Sequence, residues 1–355
     1  MENVSLIDPI KDPRWDKFVQ NHPFGWIVHL SGWKTVIESS FPHIKGHYLA
    51  LIDTTDNEIR AALPLFEVRS WLTGNRMVSI PFATISDPLI NTSYEMEKLF
   101  EHAIELMNSL EIPSIEIRSL MSSLLINDKR LERLCFFKHH FIELKGNLED
   151  LHKAFHPNHV KRGIKRAIKS NLSFRSAENE EDLLGFYKLY AKTRKKHGLP
   201  PQPFIFIKML WDIFFPSKNF QLLFAEKDGQ ALAAMILFKF KGRVSVDFQV
   251  SDETYLEFRP NHFLYWEAIK LTYSEGFKIF DFGRTSPNNE GLMQFKSYWG
   301  TEVVDLPQFF YPKEVSNKYL EWETSTGYKF IQKLCKNSPE PIFQLLARLC
   351  YRHLG

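Results

Sequence analysis

The chain has 355 residues, of which 44% are apolar and 25% are charged, as in an ordinary globular protein. This composition excludes a disordered or collagen-like chain, and the length suggests two domains or one large one. Three cysteines exclude a disulfide framework. The N-terminus lacks the pattern of a signal peptide, and no uncharged apolar run approaches the roughly 20 residues of a membrane-spanning helix. We therefore expect a cytoplasmic protein.

Positive charge is concentrated in two places. From Lys313 onward, seven Lys or Arg residues outnumber four Glu residues, so the C-terminal tail holds the net charge of +3. The second place is a basic segment whose cations recur at helical spacing: Lys161, Arg162, Lys165, Arg166 and Lys169. Such rows on a helix are either a solvated face or a site for a diphosphate or an RNA phosphate. Charge this local does not indicate a coat for DNA.

In the first half, two predicted strands, 47–53 and 58–68, flank a turn and form a hairpin. A third strand is predicted over 76–82. Apolar residues at helical spacing then predict a helix over about 94–110, and a short strand over 114–118 ends the unit.

The second half repeats this order. Strands 221–227 and 231–240 flank the hairpin turn at Asp228 and Gly229, and an alternating strand follows over 243–250. A helix over about 261–274 precedes the strand 279–283. Two copies of one order indicate duplication, with each copy α/β or α+β.

The two copies join near residues 150–160, and the tail from Pro312 is predicted to be helical. On its last helix, one apolar stripe is predicted, formed by Ile342, Phe343, Leu345, Leu346, Leu349 and Cys350.

Two candidate motifs have ordinary alternatives. The FDFG at 280–283 lacks the upstream motifs of a kinase, so Asp281 is a helix cap, a partner of Arg284 or a substrate contact. His152, His156 and His159 are spaced for a metal, but Pro157 interrupts a regular helix and no carboxylate or cysteine completes a set. We expect surface histidines and no metal.

The most distinctive segment is FGRTSPNNEGLMQFKSYWG at 282–300. A strand ends at Gly283, and a short helix carries Phe295 and Lys296 near the carboxyl end of the sheet, where ligands often bind. Lys296 is either a structural lysine with a buried stem or a fixed charge strengthened by its aromatic neighbours.

This segment resembles the Fem-type peptidyltransferases and their FemAB-like relatives, in GFKIFDFGR at 276–284 and FKSYWG at 295–300. HPFGWIVHLSGWK at 22–34 and VKRGIKRAIK at 160–169 are similar to the same family, and the resemblance covers about residues 14–310. It implies an α/β (α+β) fold with two tandem GNAT-like acyltransferase domains, 1–155 and 156–311, and a basic helical tail, 312–355.

The resemblance also implies site residues. Lys296 matches the family's catalytic lysine, and Arg162 or Arg166 matches the arginine that holds the diphosphate of the precursor. We predict that Lys296 and Asp281 are catalytic. The predicted substrate-binding residues are Arg162, Arg166, Trp33, Lys34, Asp87, Asp247, Arg284, Phe295 and Tyr298.

Three functions follow as hypotheses. The first is transfer of an aminoacyl or acyl group to an amine on a cell-envelope precursor, related to peptidoglycan or exopolysaccharide, with a lysine stabilising the oxyanion. The second is a CoA-dependent N-acyltransferase acting on an amino sugar or lipid-linked saccharide. Residues 256–262 lack the glycine-rich loop that such enzymes use for the CoA pyrophosphate. The third is a non-catalytic binding protein of envelope assembly.

The expected partners follow from the first hypothesis. The acceptor is a precursor with phosphate groups, and the acyl donor is aminoacyl-tRNA or acyl-CoA, with no tightly bound cofactor and no DNA. The basic tail would also suit peripheral contact with a membrane, which would place the cytoplasmic protein at the inner membrane face.

Overall fold

The computed structural model describes residues 2–316 and 326–353, which form two compact units. The first unit comprises 2–136, 305–316, 326–333 and 339–353, and the second comprises 137–304 and 334–338.

The first unit contains a mixed sheet of six strands. In spatial order they are β1 (Glu2–Ile7), β2 (Ile44–Asp53), β3 (Ile59–Val68), β4 (Arg76–Val78), β5 (Ile115–Arg118) and β12 (Glu302–Tyr311). Neighbours are antiparallel except β4 and β5, which are parallel. The helices α1 (Arg14–Asn21), α2 (Ser31–Ser40) and α3 (Ser93–Ser109) belong to this unit.

The second unit has the same sequence of pairings. Its strands, in spatial order, are β7 (Ser173–Ser176), β8 (Phe220–Lys227), β9 (Gln230–Phe240), β10 (Arg243–Ser251), β11 (Ile279–Thr285) and β6 (Glu132–Glu143). Among these described strands, β10 and β11 are parallel and the other neighbouring pairs are antiparallel. The helices of this unit are α4 (Leu148–Ala154), α5 (Arg162–Lys169), α6 (Glu180–Lys196), α7 (Phe204–Phe214), α8 (Pro260–Ser274) and α9 (Glu290–Ser297).

The repeated pairing order confirms the predicted fold class of two similar α/β domains. Alternation and turn chemistry located both hairpins, because β2 pairs with β3 and β8 with β9 as expected. The predicted third strand is shorter than expected, since β4 covers only Arg76–Val78. Each unit has its own apolar core, centred on α3 in the first and on α8 in the second.

The compact units differ from the predicted boundaries at residues 155 and 311. Strand β6 follows the first copy along the chain, yet it hydrogen-bonds β11 of the second unit. Conversely, β12 follows the second copy and pairs with β5 of the first unit. The sixth strand of each sheet is therefore supplied by the other half of the chain.

The C-terminal segment contains the helices α10 (Thr326–Asn337) and α11 (Glu340–Tyr351), while residues 317–325 of the predicted tail lie outside the described part. The apolar stripe predicted for the last helix is buried along one edge and exposed along the other. Phe343 is buried together with Ala347 and Tyr351, which follow it at intervals of four residues. Ile342, Leu345 and Leu349 are instead about half exposed. The apolar side of the helix is therefore wide, and only one of its edges packs on the protein.

Candidate functional site

A cleft of about 540 Å³ in the second unit is lined by two of the predicted cations and two of the predicted aromatic residues. Its lining includes Arg162 and Arg166 of α5, Arg259 before α8, and Phe295 and Tyr298 at the end of α9. We call it the arginine cleft. None of the three guanidinium groups forms an ion pair with a described residue, and no carboxylate lines the cleft.

Two of the cations of α5 line this cleft. Ile164 and Ala167 are buried against the protein, so Arg162 and Arg166 are held on the exposed side of the helix. Gly163 permits α5 to lie close to α8, because a Cβ at this position would be 2.6 Å from the imidazole of His262. Close packing of the two helices therefore brings the arginines of α5 beside the start of α8.

The start of α8 adds positive potential. Arg259 adopts a left-handed backbone conformation with φ of 59°, and Pro260 is the first residue of the helix. The helix has 15 residues, and its N-terminus has the partial positive charge of the helix dipole. Pro260 has no backbone N–H, so one amide donor is missing at this helix start, and the side chain of Arg259 adds a full positive charge there.

Aromatic rings also line the arginine cleft. The imidazole of His159 is stacked on the phenol ring of Tyr298, with 4.1 Å between centroids and 7° between planes. His262 meets Phe295 edge to face at 5.6 Å. Burial, with a smaller contribution from Arg259, lowers the pKa of His262 to about 4. His262 is therefore neutral at pH 7, and the charge of the cleft comes mainly from its arginines.

A second feature, the strand opening, lies between β10 and β11. The two strands pair in parallel only as far as Ser245 and Asp281. Beyond this point a bulge in β10 leaves Asp247 without a pairing position opposite β9, and β11 has an irregularity between Asp281 and Gly283. Bulges of this kind re-aim side chains and are common beside active sites.

Asp281 is buried at the base of the strand opening and fully engaged. Its Oδ2 lies 2.9 Å from Nε2 of His139 and 2.9 Å from a guanidinium nitrogen of Arg243, and its Oδ1 accepts a hydrogen bond from the Gly283 N–H at 2.7 Å. Burial alone would raise the pKa of Asp281, but these three contacts lower it below its ordinary value. The carboxylate is therefore an ionised anchor for the bend in β11.

Lys296 extends from α9 to the same strand. Its Nζ donates hydrogen bonds to the carbonyl oxygens of Gly283 and Arg284, both at 3.0 Å, and only 4% of the residue is exposed. Burial lowers its pKa to about 8, against the opposing influence of Asp281. The lysine is therefore largely protonated at pH 7, and its charge is a cause, after burial, of the low pKa of His140, about 4.

Asp247 is the acidic group of the strand opening that remains partly accessible to solvent. Its Oδ1 accepts a hydrogen bond from Ser245 Oγ at 2.6 Å. Loss of hydration in the folded protein, with a contribution from the charge of Asp281, raises the pKa of Asp247 to about 6. A carboxylate with this pKa is a stronger base than an ordinary aspartate and is still mostly ionised at pH 7.

The structure brings together many of the predicted site residues. Arg162, Arg166, Phe295 and Tyr298 line the arginine cleft, while Asp247, Asp281, Arg284 and Lys296 surround the strand opening. Helix α9 links the two features, because it provides Phe295 to the cleft and Lys296 to the opening. The exposed guanidinium of Arg284 lies over the ring of Phe137 at 4.5 Å.

Three predicted substrate-binding residues belong to the first unit and have structural contacts there. Trp33 is 1% exposed and fills the core. The Nζ of Lys34 is paired with Glu38 at 2.7 Å. Asp87 is fully buried, and its Oδ1 accepts hydrogen bonds from the backbone N–H groups of Leu120 and Ser122. The side chains of Trp33 and Asp87 are therefore enclosed and hold the unit together.

Residue reasoning overlooked Arg259, His159 and His262 as members of the cleft and His139 as the neighbour of Asp281. The position of Arg259, just before a predicted helix, was the feature of the sequence that could have indicated its place in an anion site. His139 lies in strand β6, which is not predicted from the sequence, and His159 is expected at the surface.

Two searches of the described residues were negative. No group of three or more His, Cys, Asp or Glu side chains there has the arrangement of a metal site. None of the described helices combines the length and the apolar character needed to cross a bilayer.

Comparisons with known proteins concern the fold. The family model for the acetyltransferase (GNAT) domain matches residues 155–297. A lipid II:glycine glycyltransferase of Staphylococcus haemolyticus (strain JCSC1435) is 34% identical over 64 residues, which is 16% of this chain and 15% of that protein. The matched part is thus a small fraction of this relative's length.

Solved structures match over most of the chain. The crystal structure of FemX has a TM-score of 0.70 at 14% identity, covering 87% of this chain and 97% of that one. L-PGS from Bacillus licheniformis has a TM-score of 0.56 at 10% identity and covers 98% of both chains. At these identities the likeness concerns the fold.

Proposed function

We propose that this chain, a Fem-type protein built on the GNAT fold, is an acyltransferase that moves an aminoacyl or acyl group from an activated ester to an amine on a cell-envelope precursor. The acceptor class, related to peptidoglycan or exopolysaccharide, is suggested by the glycyltransferase relative. The observation that supports the proposal most is the position of the arginine cleft, where three guanidinium groups lie at the start of α8, close to the strand opening through α9.

In the proposed reaction, the amine nitrogen attacks the ester carbonyl, a C–N bond forms, and the C–O bond to the donor breaks. The tetrahedral intermediate has a negative oxygen that needs a fixed positive charge. An ammonium group has three N–H donors, and two of those on Lys296 go to the backbone of β11. The third remains for an oxyanion in the strand opening. The two backbone acceptors hold Nζ in place, so little reorganisation is needed during the reaction.

Asp247 is the proposed proton acceptor. When the amine attacks, its nitrogen becomes positively charged and loses a proton to Asp247. As the C–O bond breaks, Asp247 returns this proton to the donor oxygen, so the donor leaves as an alcohol. A carboxylate with a pKa of about 6, partly accessible to solvent and steadied by Ser245, suits this step. Asp281 acts indirectly in this scheme, because it anchors the bend of β11 that presents the carbonyls to Lys296.

The arginine cleft is the proposed site for phosphate groups of a substrate. Arginine pairs with phosphate through two parallel hydrogen bonds, and such bonds strengthen where no carboxylate competes. The phosphates belong either to the diphosphate of the acceptor or to an aminoacyl-tRNA donor. The stacked pair of His159 and Tyr298 adds a flat surface beside these cations, which suits a nucleotide base.

A CoA-dependent N-acyltransferase is the second candidate, because residues 155–297 match the acetyltransferase (GNAT) domain. The sequence Arg259-Pro260-Asn261 at the head of α8 argues against it. Enzymes that bind the CoA pyrophosphate at a helix start use backbone N–H groups of a glycine-rich loop. We therefore expect weak or absent binding of acetyl-CoA in a calorimetric titration, and micromolar affinity would make this candidate the first.

The test of the main proposal uses two double variants of α5. Arg162→Ala with Arg166→Ala removes two charges that line the cleft, and Lys165→Ala with Lys169→Ala removes two exposed charges of the same helix that do not. The assay measures transfer of a radiolabelled amino acid from charged total tRNA to lipid II. We expect the arginine variant to lose about 100-fold in rate and the salt dependence of binding to flatten. The lysine variant should stay within about threefold.

Equal losses in the two variants would mean that the charge of the helix matters and the cleft does not. Wild-type protein that transfers no amino acid, but acetylates an amino sugar with acetyl-CoA, would replace the aminoacyl proposal with the CoA-dependent one. A protein inactive with both donors that still binds lipid II would instead be a non-catalytic binding protein.

A further inference from the structure

The last helix, α11, leaves one apolar face uncovered among the described residues. Its buried face is held by the first unit, since the Tyr351 ring lies 6.2 Å from Phe41 and 5.8 Å from Phe82. The other face has three apolar side chains at helical spacing, Ile342, Leu345 and Leu349, which are 50%, 56% and 45% exposed. Exposed apolar residues arranged in a stripe mark an interaction surface more often than scattered ones do.

An exposed loop of the same unit lies at the end of this helix. Trp71 is 86% exposed and Leu72 is 49% exposed. The loop is tied to His353, because Ser70 Oγ and His353 Nδ1 are 3.0 Å apart and Thr73 Oγ1 donates a hydrogen bond to the His353 carbonyl at 2.8 Å. The indole of Trp71 also meets the His353 ring edge to face at 5.0 Å. These contacts present the indole outward beside the helix end instead of burying it.

Positive charge accompanies the apolar side chains. Arg348 and Arg352 are exposed and occupy the same side of α11 as Leu345 and Leu349, at intervals of three and four residues. Arg69 of the loop is paired with Glu67, the loop 69–76 has no acidic residue of its own, and 340–353 contains a single acidic residue, at its first position. Cations between leucines, with a tryptophan at one end, match the interface of an anionic bilayer. The indole lies at headgroup level, the leucines enter the acyl region and the arginines pair with phosphates.

We propose that Trp71, Leu72 and the exposed face of α11 form a membrane-docking surface for anionic lipid. The surface belongs to the first unit, whereas the proposed chemistry uses the second, so this inference does not rest on the proposed function. It commits to a bilayer and not to a second copy of the chain. A dimer interface would join two identical cationic faces, and the repulsion between their arginines would oppose association.

The experiment measures sedimentation of the full chain with vesicles of phosphatidylcholine, with and without phosphatidylglycerol. We expect binding that requires phosphatidylglycerol, weakens in high salt, and falls about fivefold for each of Arg348→Gln and Arg352→Gln. Trp71→Ala with Leu345→Ala should lose at least about tenfold. The matched control is Leu124→Ala, since Leu124 is an 88% exposed apolar residue of the same unit outside the surface, and it should bind as the wild type does.

Tryptophan fluorescence distinguishes docking through this surface from non-specific adsorption to vesicles. Lipids brominated near the headgroup should quench the wild type and quench Trp71→Phe far less, although this variant still sediments with vesicles. The proposal would be overturned if the wild-type protein did not bind anionic vesicles, or if Leu124→Ala reduced vesicle binding as much as the double variant does. Self-association without lipid that Trp71→Ala abolishes would also overturn it, since the surface would then join two copies. Unchanged melting temperatures would establish that the variants are folded.

Discussion

The depressed pKa of Lys296 makes the stability of the protein depend on pH in a calculable way. The ammonium is buried, and its pKa falls from 10.5 in water to about 8. The folded state therefore releases this proton at lower pH than the unfolded state, so the unfolded state binds more protons in between. Stability must then rise with pH between the two pKa values, which is the sign expected for a lysine penalised by burial.

The magnitude follows from the size of the shift. Each pKa unit corresponds to about 1.4 kcal/mol, and little of the penalty is relieved below pH 7. Between about pH 7 and about pH 10 the free energy of unfolding should therefore increase by about 2 to 3 kcal/mol from this group alone. The neutral amine keeps two N–H donors, so the hydrogen bonds to Gly283 and Arg284 survive deprotonation.

The assay compares wild type with Lys296→Met, which keeps the apolar stem and removes the titrating group. Urea unfolding followed by tryptophan fluorescence at pH 7, 8, 9 and 10 gives the difference in stability at each pH, and the contributions of other groups largely cancel. We expect the wild type to gain about 2 to 3 kcal/mol relative to the variant over this range. A constant difference would refute the reasoning, because Lys296 would then titrate as an exposed lysine and its charge would not lie in a dry site.

Three further predictions concern packing, capping and the buried carboxylate. Gly163→Ala should lower the free energy of unfolding by about 1–3 kcal/mol, because the added methyl group would clash with the His262 ring. Gly185→Ala lies in the interior of α6 with open space around it and should raise the free energy of unfolding by about 0.5–1 kcal/mol. Chemical denaturation measures both variants, and equal shifts would contradict the close approach of α5 and α8. Thr92→Ala removes the cap of α3 and should cost about 1 kcal/mol by the same measurement, so an unchanged midpoint would mean that the cap is dispensable. Asp281→Asn should cost about 1.5–3 kcal/mol at pH 7, because the charge-assisted contact with the partly exposed guanidinium of Arg243 is lost, and a loss under 1 kcal/mol would show that the contact is replaceable.

Local patterns in the sequence were sufficient for the repeated part of each unit. Both hairpins, helix α3 and helix α8 lie where alternation, turn residues and helical spacing placed them. Strands β6 and β12 were not predicted, because neither pairs with the strand that precedes or follows it in sequence. The strands with which they pair, β11 and β5, lie far away in sequence. No turn sequence and no local alternation of apolar and polar residues therefore indicates the pairing.

The candidate site divides in the same way. The spacing of Arg162 and Arg166 by itself determined that both cations share one face of a helix, since a helix turns once in 3.6 residues. Only the tertiary structure decided what that face meets. Arg259 completes the cleft at the start of α8. The close approach of Gly163 to His262 depends on packing between segments about 100 residues apart. Lys296 was recognisable as a site residue by resemblance, but its protonation state was not. That depends on burial and on two carbonyl groups of a neighbouring strand, because a charge responds to everything around it in space and not to its neighbours in sequence.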